Sequence, residues 1–387
     1  MNFFKLEQPP GVPHIPIKLL KMIGIIGRQK ERFRILPLFL VYFFIIALPK
    51  SCLGYPSFEL AIIGIAELFF QTNTFCGIFL LFINGYKLEH FIKRARTFSQ
   101  KVLSESSPAI VQHLTTQHEF IHKVTRIFFI VVLYAANFYV FAPILSTLYT
   151  LYRTAKSSNE TIYYTLHMEE NFYGLATRTS GADYLLFGAI MTPTSYLCAF
   201  AGTVKILTVC NCIIYCTLYF QLIQVKLQTV AQDNTFREEL KTIVMLHQEA
   251  LNCARFLESI TSLVLLQQLL LCVLIWCSML LYFTVSGFNV SFMNLFVLFV
   301  FDTTETLAYC YLGEQLSNES ANVARVVYER NWEMQTPAIQ RDLKLVLVRA
   351  QVPVGITAGK FCFMNMEQFG IILKTTYSIF VVLREQF

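Results

Sequence analysis

Residues 184–227 have the sequence YLLFGAIMTPTSYLCAFAGTVKILTVCNCIIYCTLYFQLIQVKL, and they decide how often this 387-residue chain crosses a membrane. An α-helix needs about 20 mostly apolar residues to cross the hydrocarbon layer. The stretch is about twice that length and contains one charge, Lys205, before Lys226. It therefore forms either one long helix that continues out of the membrane or two spans separated by a tight reversal near Gly202.

The distribution of lysine and arginine separates these possibilities. With one long helix, the segments on the N-terminal side of the membrane hold 23 basic residues and the opposite segments hold five, if Arg34 is counted with the N-terminal segment. A reversal near Gly202 changes the division to 15 against 13. Because cytoplasmic segments retain Lys and Arg, the single long helix is favoured. The N-terminus is then cytoplasmic and the C-terminus extracellular.

Seven stretches are long and apolar enough to cross the bilayer, so the sequence predicts an all-α membrane protein with seven transmembrane helices. The predicted spans are residues 33–49, 58–83, 127–151, 184–207, 263–285, 290–312 and 354–383. Residues 226–260 and 315–350 are rich in helix-forming residues with a one-sided apolar pattern. We expect them to be amphipathic cytoplasmic helices that pack either between subunits or as a cap within one chain.

Composition supports a lipid environment and excludes other classes. Hydrophobic residues make up 55% of the chain and charged residues 14%, and the mean hydropathy is +0.52. The net charge of +6 is scattered along loop edges and not gathered in a patch, so nucleic-acid binding is not expected. Most of the 11 cysteines fall in apolar runs or at their cytoplasmic ends, so no extracellular disulfide framework is implied. No pattern indicates a cofactor.

The last predicted span carries charges at regular spacing. Lys360, Glu367 and Lys374 recur every seven residues, which places them within roughly 40° of one another on a helix. Charges inside a membrane usually face protein or water, so this face predicts a water-filled pore. Its outward continuation includes Ser378, Val381, Val382 and Glu385, with the valines as a constriction and Glu385 as an outer ring. Alternatively, Lys374 and Glu367 pair with Asp302 or Glu305 and only hold the bundle together.

Aromatic, hydroxyl-bearing and small residues are concentrated in the outer halves of several spans. This composition suits a pocket that holds a small apolar ligand by packing and one or two hydrogen bonds. Each residue singly is also explained as a lipid-facing or core side chain. The candidate ligand-binding residues are Ile65, Phe69, Phe70, Tyr134, Asn137, Phe138, Phe141, Ala189, Thr192, Tyr196, Trp276, Phe292, Phe296 and Phe299.

Two short patterns require separate treatment. His118-Glu119-Phe120-Ile121-His122 has the spacing of a zinc metallopeptidase helix, but the sequence marks no third metal ligand, so no metal site is expected. A solvated or packed helix face also explains it. Asn159-Glu160-Thr161 is an acceptor for N-glycosylation in the predicted outer loop 152–183. Asn159 is therefore a candidate glycosylation site.

The C-terminal third of the chain resembles the insect odorant receptor family. The resemblance rests on several motifs in the family's order and spacing. They are Tyr311-Leu312-Gly313-Glu314-Gln315-Leu316, Trp332, Arg349-Ala350-Gln351-Val352-Pro353, Thr357-Ala358-Gly359-Lys360 and Leu373-Lys374-Thr375-Thr376-Tyr377-Ser378. The earlier two-thirds match in layout only. Ala350 stands where many relatives have serine.

The resemblance implies an odorant-gated, non-selective cation channel in the plasma membrane of olfactory sensory neuron dendrites. It implies a heterotetramer with the odorant receptor co-receptor (Orco), in which cytoplasmic anchor helices join the subunits and the last helix lines the pore. On this alignment the gate valine is Val382 and the neighbouring polar position is Glu385. The co-receptor's longer insertion after the fourth span is absent, so the chain resembles the variable, ligand-tuning subunit, and the spacing of Thr376-Tyr377 from Gln386-Phe387 argues against the gustatory branch.

The predicted organisation has six segments. They are a cytoplasmic N-terminal segment (1–32), a ligand-binding bundle of four spans (33–225), cytoplasmic anchor helices (226–262), the fifth and sixth spans (263–312), a further anchor helix (313–352) and the pore-lining last span (353–387). Expected partners are the co-receptor, a small volatile ligand and the lipid bilayer. The alternatives are a seven-helix receptor that signals through a G protein and a membrane zinc metallopeptidase. The inverted topology and the lack of Asp-Arg-Tyr and Asn-Pro-x-x-Tyr patterns count against the former.

Overall fold

The structure is a computed structural model that describes residues 10–105, 108–156, 164–230, 236–330 and 332–385. The described chain is built almost entirely from helices. In chain order they are α1 (His14–Ile23), α2 (Gln29–Arg32), α3 (Ile35–Val41), a π-helical segment (Tyr42–Ala47), α4 (Leu48–Cys52), α5 (Phe58–Ile83), α6 (Gly85–Glu105), α7 (Pro108–Lys156), α8 (Gly181–Thr229), α9 (Phe236–Ser286), α10 (Val290–Tyr328), a short 3₁₀ turn (Trp332–Met334), α11 (Pro337–Ala350) and α12 (Met366–Arg384).

Seven of these segments are long and apolar enough to cross a membrane, which confirms the predicted number of spans for the described residues. The first is the broken segment Gln29–Cys52, and the others are α5, α7, α8, α9, α10 and α12. Side-chain caps start several of them. Ser57, Ser180, Asn289 and Asn365 each accept a hydrogen bond from a backbone N–H in the first turn of the helix that follows.

The stretch 184–227 lies within one uninterrupted helix, so the prediction of a single long α8 is confirmed. At a rise of about 1.5 Å per residue, its 49 residues extend roughly 74 Å, more than twice the thickness of the hydrocarbon layer. Gly202 lies in mid-helix, and Pro193 is tolerated nearer the outer end. The inner half of α8 is buried on nearly all sides and forms the centre of the main core.

The cytoplasmic ends of α8, α9 and α10 pack together with α6 and α11 below the membrane. Buried side chains on the inner part of α9 include Leu240, Ile243 and Leu257, and Val346 of α11 is also buried. A cap within one chain therefore exists. Apolar side chains on the outside of this cap, among them Val244, Met245 and Leu345, are exposed.

The prediction that residues 354–383 form one helix is wrong at its start. Residues 357–363 form a short antiparallel hairpin, β1 (Thr357–Ala358) with β2 (Cys362–Phe363), in which Thr357 pairs with Phe363. Gly359 and Lys360 form its turn with φ of 59° and 64°, values that a continuing α-helix excludes. Helix α12 starts only after the Asn365 cap. Lys360 therefore does not share a helix face with Glu367 and Lys374.

Candidate ligand cavity and pore helix

A small cavity lies beneath the outer loop, among α5, α7, α8 and α10. Its volume is about 60 Å³ and its walls are almost wholly apolar. The wall residues are Phe70, Gln71, Val132, Ala135, Ala136, Tyr139, Met168, Ser195, Cys198, Ala199, Gly202, Val297, Leu298 and Phe301. Residues from four helices and the outer loop converge on the cavity, so a molecule bound there would contact each of these elements at once.

Small side chains create this space. Ala135, Ala136, Ala199 and Gly202 leave room between α7 and α8, which pack against each other. Pro193, one turn and a half above Ala199, removes one helical N–H from α8. The hydroxyls of Thr194 and Ser195 donate to the carbonyls of Ile190 and Met191 at 2.8 and 2.9 Å, which satisfies backbone acceptors next to the cavity.

Three of the wall residues, Gln71, Tyr139 and Ser195, carry a side-chain oxygen. The Tyr139 hydroxyl donates to Glu67 Oε1 at 3.2 Å, and the Ser195 hydroxyl donates to the Met191 carbonyl. Gln71 is 3% exposed, and its Oε1 has no hydrogen-bond partner among the described residues. An unmatched buried acceptor of this kind costs free energy.

The outer loop closes the cavity from above and is held by buried charges. Lys50 Nζ lies 2.6 Å from Glu67 Oε2 and donates to the Glu169 carbonyl at 2.8 Å. The Glu169 N–H donates to Glu67 Oε2 at 2.9 Å, and Arg178 pairs with the Glu169 carboxylate. Because Glu67 also accepts from Tyr139, these bonds connect the outer loop to the cavity wall. They place Met168 over the cavity.

Two titratable groups of the loop are shifted by burial. Burial raises the pKa of Glu170 to about 8, although Lys50 Nζ lies 3.9 Å from its carboxylate and opposes the rise. Burial lowers the pKa of His167 to about 4, so its ring is neutral. The loop therefore favours the uncharged form of both side chains.

The predicted ligand residues occupy several different environments. Phe70 is in the cavity wall, and Phe69 packs against the core. Tyr196 is half-buried and donates its hydroxyl to Asn137 Oδ1 at 2.7 Å, outside the cavity wall. Residues that present exposed side chains on the outside of the chain are Ile65, Tyr134, Phe138, Phe141 and Ala189, and Thr192 is half-buried.

The remaining predicted residues form a chain of ring contacts. Phe292, Phe296 and Phe299 follow one another along α10 with ring centroids 6.1 Å apart at each step. Phe299 contacts Trp276 of α9 at 5.9 Å, and Trp276 contacts Phe369 of α12 at 5.9 Å. These aromatic residues therefore connect α10 to the last helix and do not line the cavity.

Sequence reasoning missed most of the cavity wall because it searched for aromatic and polar side chains. The wall is instead built largely from alanine, glycine and serine, which leave space but carry little chemical signal. The two small pairs Ala135-Ala136 and Ala201-Gly202 on neighbouring spans are the pattern that could have indicated a gap between them.

A buried polar cluster lies on the cytoplasmic side of the cavity. Lys205 of α8 is 1% exposed, and its Nζ lies 2.8 Å from Glu305 Oε1 and 3.0 Å from Gln268 Oε1. Asp302 Oδ1 accepts from Gln268 Nε2 at 3.0 Å and from Asn73 Nδ2 at 3.1 Å. The cluster joins α5, α8, α9 and α10 through side chains that lipid could not solvate.

The cluster contains the cation that pairs with Glu305 of α10, the predicted sixth span. Glu305 pairs with Lys205, and neither Lys374 nor Glu367 forms an ion pair among the described residues, so the alternative in which they pair with Asp302 or Glu305 is wrong. Lys374 and Glu367 are both exposed on α12 in the isolated chain.

The last helix contacts α9 and α10 along one narrow face. Ile372 and Thr376 are its buried residues, whereas Lys374, Ser378, Val382 and Glu385 are exposed and Val381 is half-buried. At 19 residues, α12 is about 28 Å long, just enough to cross the hydrocarbon layer. A membrane-crossing helix with an exposed Lys near its middle requires protein or water on that side.

The His118–His122 segment packs against α8. His118 Nδ1 lies 2.6 Å from the Tyr215 hydroxyl, and burial lowers the pKa of His118 to about 4. In the described part of the chain, no three His, Cys, Asp or Glu side chains are arranged to hold a metal ion. The packing interpretation of this helix face accounts for His118.

Comparison with solved structures identifies the fold. The chain is similar to the structure of the insect olfactory receptor OR5 from Machilis hrabei in complex with eugenol, with a TM-score of 0.75, 14% identity and coverage of 97% of this chain and 98% of that chain. Another structure of the same receptor gives a TM-score of 0.72 at 16% identity, covering 95% and 96% of the two chains. The likeness shows a shared seven-helix fold.

Sequence comparison identifies the family. Odorant receptor 19a of Drosophila melanogaster is 35% identical over 94 residues, 24% of each chain, and Odorant receptor 13a of the same species is 30% identical over 162 residues, 38% of each chain. The chain thus spans between a quarter and two-fifths of the length of these relatives. Residues 58–377 match the family model described as 7tm Odorant receptor. Because this match covers most of the chain, the protein belongs to the 7tm odorant receptor family, which comprises receptors and not enzymes.

Proposed function

We propose that this chain is the ligand-tuning subunit of an odorant-gated, non-selective cation channel in the dendritic membrane of olfactory sensory neurons. A small volatile binds in the cavity beneath the outer loop, and a pore lined by α12 opens in response. The observation that carries the proposal is the pairing of an apolar cavity among α5, α7, α8 and α10 with a final helix whose polar face has no partner among the described residues of the chain.

The cavity suits a volatile because such molecules are small and mostly apolar. The walls supply mainly apolar packing contacts, and few polar atoms line them. A ligand shifts the gating equilibrium only if it binds the open arrangement better than the closed one. Because the walls come from four different helices, a change in the spacing of these helices would change the contacts with the ligand directly.

The aromatic chain supplies a route from ligand to pore. Val297, Leu298 and Phe301 of α10 line the cavity, and Phe299 on the same helix contacts Trp276, which contacts Phe369 of α12. A rotation or shift of α10 on ligand binding would therefore be transmitted to the pore helix by packed rings.

The polar face of α12 fits a pore lining formed by several subunits. Lys374 and Ser378 lie deeper in the membrane, Val381 and Val382 follow, and Glu385 ends the helix at the extracellular side. Valine side chains suit a closed constriction, and an acidic ring outside it attracts cations. Any partner, which we propose to be the co-receptor Orco in a heterotetramer, would supply the other helices of the pore.

The cytoplasmic cap is the proposed attachment surface for that partner. Val244 and Met245 of α9 and Leu345 and Val348 of α11 are exposed apolar side chains on neighbouring helices. Buried between subunits, they would contribute the apolar interface that an obligate complex requires.

The experiment is recording of odorant-evoked currents from cells that express the chain with Orco. Val382→Ala and Glu385→Gln should change the conductance or the ratio of sodium to calcium permeability, whereas Ala199→Val, which narrows the cavity, should change the odorant concentration for half-maximal current. Glu329→Gln, a charge change on the exposed cytoplasmic end of α10, serves as the matched control. If the pore variants alter only surface expression, α12 does not line the pore.

A further inference from the structure

The charges that hold the outer loop do not balance. The loop contacts two cations and three acids, which are Lys50, Arg178, Glu67, Glu169 and Glu170. We call these five side chains the outer-loop cluster. Arg178 is partly exposed, whereas the side chains of the other four are at most 6% exposed. With every group ionised, the cluster would hold one surplus negative charge away from water, which is unfavourable.

The contacts within the cluster show which acid has no matching cation. Lys50 Nζ donates to Glu67 Oε2 at 2.6 Å and to the Glu169 carbonyl at 2.8 Å. The Glu169 carboxylate pairs with Arg178. Neither carboxyl oxygen of Glu170 has a hydrogen-bond partner among the described residues, and Lys50 Nζ lies 3.9 Å away. Glu170 is therefore the acid whose charge would be left over.

A proton is the occupant that this position accepts. The Glu170 side chain is 0% exposed and both of its oxygens are inaccessible, so neither water nor a hydrated cation reaches them. A buried carboxylate without a matching cation takes up a proton and becomes neutral. Burial accordingly raises the pKa of Glu170 to about 8, although Lys50 opposes the rise.

The outer-loop cluster is connected to the cavity at two points. Met168, which precedes Glu169 in the loop, is 1% exposed and forms part of the cavity wall. Tyr139, another wall residue, donates its hydroxyl to Glu67 Oε1 at 3.2 Å. A movement of the loop at Glu170 therefore changes the wall that a ligand contacts.

We propose that Glu170 binds the proton that keeps the outer loop closed over the cavity, so that an alkaline extracellular medium lowers the odorant sensitivity of the channel. Loss of the proton leaves an unpaired charge beside Glu67 and Glu169, and the loop relieves the repulsion by moving Glu170 into water. Met168 then leaves the wall, and the ligand loses a contact. The inference rests on the proposed function, since it adds a regulator to the proposed odorant site.

The neighbouring groups do not account for a response between pH 6.5 and pH 9. Burial raises the pKa of Tyr55 to about 12 and lowers that of His167 to about 4, so neither changes its charge in this range. Burial also raises the pKa of Glu169, but its pairing with Arg178 opposes the rise. The titratable and charged side chains around Glu170 in the described part of the chain are Lys50, Tyr55, Glu67, Tyr139, His167, Glu169 and Arg178.

The test records odorant-evoked currents from the chain co-expressed with Orco at extracellular pH 6.5, 8 and 9. The probes, 1-octanol and ethyl butyrate, carry no group that titrates in this range. Each current is normalised to the current that an agonist of Orco evokes at the same pH. Because the pKa of Glu170 is about 8, the half-maximal concentration should rise about twofold at pH 8 and about tenfold at pH 9, relative to pH 6.5.

Two variants separate Glu170 from other effects of pH. Glu170→Gln keeps the shape of the side chain but cannot ionise, so its half-maximal concentration should stay within about twofold over the whole range. Glu59→Gln removes an exposed acid at the start of α5 and is the matched control. It should keep the pH dependence of the wild type.

A second readout needs no odorant. In a Cys52→Ser background, Met168→Cys receptors on intact cells are treated with a charged, membrane-impermeant thiol reagent at pH 6.5 and pH 9. Thr179→Cys, at an exposed position of the same loop, corrects for the ionisation of the thiol. Labelling at Met168→Cys should rise more steeply with pH than labelling at Thr179→Cys, and Glu170→Gln should remove the difference.

Each contrary result overturns a different step. A wild-type half-maximal concentration that is equal at pH 6.5 and pH 9 overturns the proton-held loop but leaves the odorant channel intact. A Glu170→Gln protein with the pH dependence of the wild type overturns the assignment of the proton to Glu170. If neither probe evokes a current while an agonist of Orco does, the proposed function fails for these probes, and the labelling decides whether the loop opens. Because the wild-type profile and the two cysteine variants leave Glu170 unchanged, a misfolded Glu170→Gln protein does not protect the inference.

Discussion

Replacing Lys205 with methionine should destabilise the bundle far more than replacing an exposed lysine. In the wild type, Lys205 Nζ lies 2.8 Å from Glu305 Oε1, and both side chains are at most 2% exposed. Methionine keeps most of the volume of the lysine side chain but leaves the buried Glu305 carboxylate without its cation. Removing one partner of a buried ion pair typically costs about 3–5 kcal/mol, because the remaining charge is neither solvated nor paired. Asp302, also buried, lies in the same cluster and accepts hydrogen bonds from Gln268 and Asn73.

A second variant separates charge from packing. Lys205→Met combined with Glu305→Gln removes both charges while keeping the shape, so it should recover about 2 kcal/mol or more of the loss. Lys87→Met, at an exposed position on α6, is the control and should have an effect of less than about 0.5 kcal/mol. The assay is the thermal midpoint of detergent-solubilised, fluorescently tagged complexes during size-exclusion chromatography.

The expected order of midpoints is wild type and Lys87→Met highest, the double variant intermediate and Lys205→Met lowest. A Lys205→Met protein as stable as the wild type would show that Lys205 does not neutralise Glu305. A double variant no better than the single one would show that the loss comes from packing.

Three further predictions address the loop and the topology. Burial raises the pKa of Glu170 from 4.5 to about 8, so the folded loop favours the neutral acid. The contribution of this neutral side chain to the stability of the loop is present below about pH 4.5 and is lost as the pH rises through about 8. Amide exchange in residues 164–180 should accelerate beyond the intrinsic rate over that range, and Glu170→Gln should remove the excess; an unchanged profile would refute the shift. Asn159 lies outside the described residues, and Asn159→Gln should increase gel mobility by one glycan if the outer loop is extracellular. An epitope fused after Phe387 should bind antibody on intact cells, whereas one before Met1 should bind only after permeabilisation; the reverse pattern would support a G-protein-coupled receptor.

The predictable part of the fold came from hydropathy and charge. The span 58–83 coincides with α5 because its ends are marked by the Ser57 cap and by the polar residues after Ile83. The unbroken α8 followed from counting basic residues, since a topology is a global property that local propensity near Gly202 does not determine. Residues 354–365 were misassigned because they are apolar enough for a span, whereas the turn at Gly359-Lys360 depends on backbone geometry.

Neither the cavity nor the buried polar cluster could be predicted from sequence patterns. The acids Asp302 and Glu305 in a membrane span indicated that a cation lies nearby. Which lysine supplies it depends on the packing of α8 against α10, which brings Lys205 and not Lys374 to Glu305. The cavity is likewise a gap between helices that are distant in sequence.

The most direct test is the accessibility of Ser378 on the proposed pore face. In a Cys52→Ser background, which removes the exposed extracellular-edge thiol, Ser378→Cys receptors expressed with Orco are treated from outside with a charged, membrane-impermeant thiol reagent. The account predicts that an activating odorant accelerates the irreversible block of current. Equal rates of block with and without odorant, or no block at all, would contradict a ligand-opened conduit along α12.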